Sequence, residues 1–342
     1  MSSPLAAEVA LPSQRGPRLS PGLAYALRQI ATSLGTLAFV IVFNFFLFRV
    51  LPGDPIALYT RGRAIDAEQL RELRAQLYAP LWRQFLDYVV NPISGSGPSI
   101  RFQAPVWEVI APRLPVTLLL VGTATILAAV IGVRLGIRAG WTRGSPFDKA
   151  TTSTTLVLYS MPEFWFGMIV LIVFAVGVGP IPGLFPTGGI VTPGVDVSSP
   201  EGWLNVAWHL TLPVFTLTVV YLAQYTLIMR SSIIEERGQE YVHTARAKGL
   251  ADRMVRNKHA VPNALLPTVT LVFLSLGFVV GGAITIEYVY SINGIGSLTV
   301  DALQGPDVPL LEALFLLFST AVILANLIAN LLYAYLDPRV RA

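Results

Sequence analysis

Six long apolar runs constrain this chain more than any other feature of its sequence. A helix needs about 20 apolar residues to cross a bilayer. Six segments meet that length, namely Ile30–Val50, Leu114–Ile137, Thr154–Val178, Leu210–Met229, Leu266–Tyr288 and Leu311–Leu336. Backbone polar groups in lipid must be satisfied within the segment, so each run predicts a helix. Charged residues make up only 13% of the 342 residues. The sequence therefore predicts an all-α polytopic membrane protein with six transmembrane helices.

These runs divide the chain into four parts. Residues 1–28 are rich in Pro, Ser and Ala, and we expect a disordered tail without a signal peptide. Residues 29–113 hold the first run and a long polar segment. In that segment, apolar residues at helical spacing over Asp66–Val89 predict an amphipathic helix or helical pair. Residues 114–336 hold the other five runs, and 337–342 form a short tail.

Basic residues predict which side of the membrane each connection faces. The connections Gly179–His209 and Ser291–Pro309 contain no Lys or Arg. The connection after the fourth run carries Arg237, Arg246, Lys248, Arg253, Arg256 and Lys258. The positive-inside rule then places both termini and residues 240–262 in the cytoplasm. This distribution accounts for the net charge of +4, so we expect membrane lipid and no nucleic acid as a partner.

Motifs of catalysis and nucleotide binding are missing from the sequence. The chain has no cysteine, which excludes thiolate metal sites and cysteine nucleophiles. No lysine follows a glycine, so there is no P-loop, and neither HExxH nor GxSxG occurs. We therefore expect no catalytic residue, no metal and no ATP-binding site in this chain.

The fourth connection contains the most informative motif. It reads Glu-Tyr-Val-His-Thr-Ala-Arg-Ala-Lys-Gly from Glu240 to Gly249, with Pro262 further on. This stretch resembles the cytoplasmic coupling segment of ABC importer permeases, in the variant typical of dipeptide and oligopeptide permeases. Ala245, Gly249 and Pro262 match the family pattern, whereas His243 and His259 replace its Glu and Ile.

Further motifs extend the resemblance over most of the chain. They are Arg49–Pro55, Met161–Gly167, Ile286–Gly296 and Leu336–Arg341. The polar segment at 51–113 lacks the family's usual glycine-aspartate elements.

The resemblance implies a type I ABC importer permease fold in a bacterial inner membrane and the import of dipeptides or oligopeptides. It also implies a second homologous permease, one or two cytoplasmic ATPase subunits that bind ATP and Mg, and an external substrate-binding protein. For docking of the ATPases it implies Glu240, His243, Ala245, Arg246, Lys248, Gly249, Leu250, His259 and Pro262. For the translocation path or gate we expect Glu163, Trp165, Glu287, Gly294 and Gly296.

Physical reasoning on these residues gives expectations that the structure can test. Ala245 and Gly249 are four apart, so they share one helix face if a helix runs through both. Gly249 also permits a C-cap between two short helices. Ionisable Glu163 either faces a cavity or snorkels to the headgroups. For Glu287 we favour a gate or helix-packing role. Trp141, Trp203 and Trp208 suit the interfacial belt.

Several alternatives remain open on the sequence. The same architecture could carry nickel chelates, glutathione or other small cargo such as opines. A secondary transporter would require inverted repeats and broken helices, which the sequence does not reveal. A membrane enzyme is disfavoured by the missing motifs. The connection at 240–262 could also be a basic loop held only by acidic lipid.

Overall fold

A computed structural model describes residues 21–50, 68, 71, 79–90, 97–279, 283–305 and 307–336 of the chain. Within them the helices are α1 (Pro21–Val50), α2 (Leu81–Val90), α3 (Val106–Ile110), α4 (Leu114–Trp141), α5 (Pro146–Ser160), α6 (Glu163–Leu171), α7 (Pro200–Arg237), α8 (Glu240–Ala247), α9 (Asp252–Val255), α10 (Val261–Val279), α11 (Ile284–Val289), α12 (Ile295–Gln304) and α13 (Val308–Leu336). Ile172–Val176 and Arg256–Ala260 are π-helical turns, and β1 (Gly177–Val178) pairs antiparallel with β2 (Ile181–Pro182).

Five of the described helical stretches are long and apolar enough to cross a membrane. They are α1, α4, α7, the continuous stretch from α9 through α10, and α13. The α5–α6 pair makes a sixth span if its two halves are counted together. The predicted all-α membrane architecture is therefore confirmed.

The third apolar run is not the straight helix that was predicted. Its two halves meet at an angle of 98°. Pro162 has no N–H to continue the hydrogen-bond ladder, and it forces the preceding Met161 into an extended conformation with ψ of 131°. The chain thus contains a broken pair of helices, contrary to the sequence-based expectation of unbroken spans.

Two further boundaries differ from the prediction. The helix of the fifth run ends at Val279, and the run's last residues form the separate helix α11. Helix α1 begins at Pro21, so residues 21–28 are helical and not part of a disordered tail. Helix α2 confirms the second half of the predicted amphipathic helix. Residues 1–20, most of 51–78 and 337–342 lie outside the described residues.

A glycine seam brings α4 and α7 into backbone contact. Gly132, Gly136 and Gly140 recur every four residues and therefore lie on one face of α4. A Cβ atom added at Gly136 would lie 2.7 Å from the Met229 Cβ and 2.7 Å from the Thr226 carbonyl oxygen. Added Cβ atoms at the other two glycines would also meet α7 atoms within 3 Å. Small residues of this kind allow membrane helices to approach closely.

An ion pair fixes α5 beside the same seam. The Arg230 guanidinium of α7 binds Asp148 through Nε (2.5 Å) and an amino nitrogen (3.0 Å). Asp148 is buried in the first turn of α5, which is capped by the Ser145 hydroxyl. Bidentate geometry makes this pair strong and directional.

Apolar clusters lie at both ends of the α4–α7 pair. The end that holds the C-termini of α4 and α7 is termed the basic end here, and its cluster includes Trp141, Ile233 and Val255. The opposite end has a cluster from α3, α12 and the start of α13, with Ile110 and Leu298 fully buried or nearly so. A third cluster, formed mainly by α4, α6, α7 and α11, lies along the N-terminal halves of α4 and α7.

The first helix packs against the last. Asn44 of α1 is buried, and its amide nitrogen donates to the Glu312 carbonyl (2.9 Å) and to the Tyr88 hydroxyl (2.8 Å). Tyr88 belongs to α2, so the amphipathic helix folds back onto the α1–α13 contact. Phe45 adds ring contacts with Tyr88 and Phe85. Amide hydrogen bonds of this kind join helices within lipid.

The seam gives a prediction with an internal control. Gly136→Ala should lower the free energy of unfolding by about 1–3 kcal/mol, because the added methyl forces two packed backbones apart. Gly122→Ala, on the same helix with no atom within 4 Å of its Cβ, should leave stability unchanged or raise it. Melting temperatures of the purified protein in one detergent would measure both. Equal melting temperatures would contradict the account of the seam.

Candidate functional site

The connection between α7 and α10 forms two short helices at the basic end. Helix α8 has Glu240 in its first turn and Arg246 in its last, an order that complements the helix dipole. Gly249 follows with φ of +76°. The N–H groups of Gly249 and Leu250 donate to the carbonyls of Arg246 (2.9 Å) and Ala245 (3.4 Å). This is a Schellman motif, so the predicted glycine C-cap is confirmed.

The inner face of α8 packs against the protein itself. Val242 and Ala245 are 0% and 5% exposed, and they join the apolar cluster that includes Trp141 and Ile233. Helix α8 ends at Ala247, so Ala245 and Gly249 do not share a continuous helix face. The condition for a shared helix face is therefore not met, and Ala245 instead seats α8 on the bundle.

The outer face of the segment is open. No atom lies within 4 Å of a Cβ built at Gly249. Glu240, His243 and Lys248 are exposed on the same segment, and Pro262 is exposed in the first turn of α10. Leu250 and His259 are half-buried, and Leu250 packs on the apolar cluster. The predicted docking residues thus include both exposed and half-buried side chains.

A hydrogen-bond chain attaches the start of α8 to both neighbouring helices. The Tyr241 hydroxyl donates to the Glu236 carboxylate of α7 and accepts from the Asn263 amide of α10 at 2.9 Å. Burial raises the pKa of Tyr241, and the bond to Glu236 acts in the same direction. The hydroxyl therefore keeps its proton and remains a donor at neutral pH.

An indole group at the end of α4 connects the segment to the membrane helices. The Trp141 Nε1–H donates to an Asp252 carboxylate oxygen at 2.6 Å, and Arg246 binds the other oxygen at 3.1 Å. The Arg246 guanidinium also lies 5.1 Å from the centre of the Trp141 ring, and Arg237 donates to the Trp141 carbonyl at 2.9 Å. Trp141 is only 7% exposed, so its predicted place in the interfacial belt is wrong. Trp203 and Trp208 are exposed.

Sequence reasoning missed this contact for a physical reason. Trp141 and Asp252 are separated by 111 positions, and no motif joins them. The sequence does contain one indication of this contact, because Trp141 directly follows Gly140, the last glycine of the seam. A residue in that position lies where α4 and α7 end together.

Glu163 lies at the break between α5 and α6. It occupies the first turn of α6, where a carboxylate is favoured by the helix dipole, and it accepts a hydrogen bond from the Thr285 hydroxyl at 2.5 Å. Its side chain is half-buried, and Trp165 is 46% exposed. The carboxylate therefore bridges the start of α6 to α11.

Glu287 is fully buried at the opposite end from Trp141. Its carboxylate accepts from the Thr117 hydroxyl (2.7 Å) and from the Ser297 N–H (2.9 Å) in the first turn of α12. Cβ atoms built at Gly294 and Gly296 would lie 2.4 Å and 3.0 Å from a carboxylate oxygen. The two glycines leave the space that the carboxylate fills, so Glu287 joins α11, α4 and α12.

The described residues form an apolar groove but no metal site. Within the described ranges, no group of three or more His, Asp or Glu could hold a metal ion. A groove of about 510 Å³ lies between α4 and α7, with mostly apolar walls that include Leu127, Trp203 and Phe215. None of the predicted path residues lines this groove.

Comparison with known proteins gives a consistent result. Residues 132–342 match the family model described as "Binding-protein-dependent transport system inner membrane component". The chain is 34% identical over 335 residues to the Dipeptide transport system permease protein DppB of Escherichia coli K12, covering 93% of this chain and 99% of that protein. It is 34% identical to the Di/tripeptide transport system permease protein DppB of Pseudomonas aeruginosa and 35% identical to the Oligopeptide transport system permease protein AppB of Bacillus subtilis, with the same coverage.

The different burial of Glu163 and Glu287 gives a second prediction. Glu287→Ala should lower the free energy of unfolding by about 1–3 kcal/mol, since it leaves buried donors on Thr117 and α12 without an acceptor. Glu163→Ala removes one bond from a half-buried group and should cost about 1 kcal/mol or less. Thermal unfolding of the two purified variants would measure the difference. A larger loss for Glu163→Ala would contradict the role assigned to Glu287.

Proposed function

The chain belongs to the family of binding-protein-dependent transport system inner membrane components, and on this premise we propose that it is a permease subunit of an ATP-driven importer of dipeptides and oligopeptides. The observation that carries this proposal is the likeness over 93% of the chain to permease proteins named for peptide transport in three bacterial genera. These names favour peptides over nickel chelates, glutathione or opines as cargo.

The assembly that this function requires has four kinds of component. A second, homologous permease would complete the translocation path beside this chain. One or two cytoplasmic ATPase subunits would bind ATP and Mg, and an external binding protein would deliver the peptide. Nothing about this chain's motifs suggests that it hydrolyses ATP itself, because it has no P-loop.

The α8–α9 segment is the part of this chain proposed to meet an ATPase. Its inner face is fixed to the bundle through Val242 and Ala245, and its outer face is open around Gly249. A basic and polar rim with a small residue at its centre suits a soluble partner that approaches the backbone closely. Closure of two ATPases on ATP would then displace this segment and rock the attached helices, which is a rigid-body mechanism of alternating access.

The proposed orientation places both termini and residues 240–262 in the cytoplasm. The distribution of Arg and Lys supports this orientation through the positive-inside rule. Docking of a cytoplasmic ATPase tests it as well, since the ATPase can only meet a segment on its own side of the membrane.

The path residues are proposed with different roles. Glu163 and Trp165 lie at the helix break, where a half-buried carboxylate can face a path formed with the second permease. Glu287, Gly294 and Gly296 lie in a packed joint, which favours control of helix position at a gate over direct contact with peptide.

Reconstitution tests the proposed function directly. The chain, a homologous second permease, the ATPases and the binding protein would be assembled in liposomes that contain ATP on the ATPase side. We expect ATP-dependent uptake of radiolabelled dipeptides and oligopeptides, with no uptake when the binding protein is omitted. ATP-dependent uptake of a nickel chelate or glutathione, without uptake of any peptide, would contradict the substrate class.

Two glycines with similar positive φ angles provide a test of the docking segment. Gly249 and Gly144 have φ of +76° and +86°, and neither has an atom within 4 Å of a built Cβ. Replacement of either by tryptophan should therefore cost the same backbone strain, about 1–2 kcal/mol. Only Gly249→Trp should also fill the space that an ATPase needs.

The measurement is recovery of ATPase subunits with the purified permease. We expect Gly249→Trp to insert in the membrane but to lose most of the bound ATPase, whereas Gly144→Trp retains it. Equal ATPase recovery in the two variants would identify the segment as a basic loop at the lipid surface instead.

A further inference from the structure

The Trp141 indole is held between groups from two separate helices. Its Nε1–H binds Asp252 of α9 at 2.6 Å, and Arg246 of α8 lies over its ring at 5.1 Å. Arg246 and Asp252 also bind each other at 3.1 Å, so the three side chains close a ring of contacts. Because an indole has a single N–H, this donor fixes one relative position of α4 and α9.

Among the described residues, the other side-chain hydrogen bonds from this segment to long helices are those of Tyr241, and they go to α7 and α10 instead of α4. Val242, Ala245 and Val255 meet the bundle through apolar packing, which resists separation but is non-directional. A hydrogen bond to a carboxylate is shorter and stronger than a neutral one and holds a defined geometry. The indole contact therefore holds α9 in a defined position against α4, while the bonds of Tyr241 hold α8 against α7 and α10.

The α4 terminus is itself joined firmly to its neighbours. The Trp141 carbonyl accepts from Arg237 at the end of α7, and Gly140 packs directly on the α7 backbone. Arg230 of α7 holds Asp148 at the start of α5. Any displacement delivered to Trp141 thus reaches α4, α5 and α7 together.

We propose that Trp141 is a positioning residue that transmits movement of the α8–α9 segment to the α4–α7 pair, with Asp252 and Arg246 as the groups that hold it. This inference rests on the proposed importer function, because it assigns the route by which ATPase closure reaches the membrane helices. Trp141 touches neither ATP nor peptide in this scheme, and its role is to keep two rigid bodies in register.

Three variants separate this role from general stability. Trp141→Phe removes the N–H donor and keeps an aromatic ring for Arg246. Asp252→Ala removes the acceptor from an exposed side chain, so the fold should survive even if the tryptophan variant fails to fold. Arg253→Ala is the matched control, since Arg253 is the exposed neighbour of Asp252 outside this ring of contacts.

The first measurement is a distance between two spin labels. The chain has no cysteine, so labels at Arg134→Cys and Thr244→Cys, both at exposed positions, would be unique in it. In the assembled wild-type complex with cysteine-free partners, we expect one narrow distance that is unchanged by ATP trapping. In Trp141→Phe and Asp252→Ala, we expect the distance to broaden and to change on ATP trapping, because α8 moves without α4.

The second measurement is the ratio of peptide imported to ATP hydrolysed. This ratio should fall by about fivefold or more in Trp141→Phe and Asp252→Ala, the lower end of typical coupling between distant sites. It should stay within about twofold of wild type in Arg253→Ala, because exposed charges contribute little.

The outcomes distinguish two failures. A wild-type complex that imports no peptide contradicts the proposed function and this inference with it. A working wild-type complex whose Trp141→Phe and Asp252→Ala variants keep the wild-type ratio and label distance contradicts only the role of Trp141.

Discussion

The close approach of α4 and α7 is the contact on which the rest of the structure depends. Three glycines remove the side chains that would otherwise separate the two backbones, and packing at that distance replaces the hydrophobic driving force that is absent between helices in lipid. Each end of this pair meets one of the proposed working parts. The α8–α9 segment rests where the helices end together, and Glu287 binds Thr117 where α4 begins.

Each end of the α4–α7 pair contacts its neighbouring helices through different side-chain chemistry. At Glu287 a buried carboxyl group fills a space left by two glycines and accepts from a backbone N–H, so a small shift of α12 leaves a buried polar group without partners, which is costly. At Trp141 the contacts are made by side chains at a partly exposed surface, where Asp252 remains open to solvent. The Glu287 contact therefore depends on close packing, whereas the Trp141 contact includes a solvent-exposed acceptor.

The sequence was sufficient to predict the membrane helices, but not the helix breaks or the contacts between distant segments. Apolar runs of 20 or more residues identify spans because a bilayer permits few alternatives. The sharp bend at Pro162 and the early end of α10 escaped that reasoning, since hydropathy averages over the residues where a helix stops. The turn at Gly249 followed from glycine chemistry alone. The buried side of Ala245 and the pairing of Trp141 with Asp252 depend on tertiary contacts between segments 100 or more residues apart, which local patterns do not contain.

The bond from Asn44 to the Glu312 carbonyl has a consequence for the synthesis and membrane insertion of the protein. The two residues are 268 positions apart, and the donor belongs to the first helix to leave the ribosome while the acceptor belongs to the last. At synthesis rates of about 5–20 residues per second, the interval between them is roughly a quarter of a minute to a minute. Throughout that time the Asn44 amide is in the membrane without its final acceptor. The Tyr88 hydroxyl is only 44 positions after Asn44, so the contact between α1 and α2 can satisfy the amide before the last helix arrives.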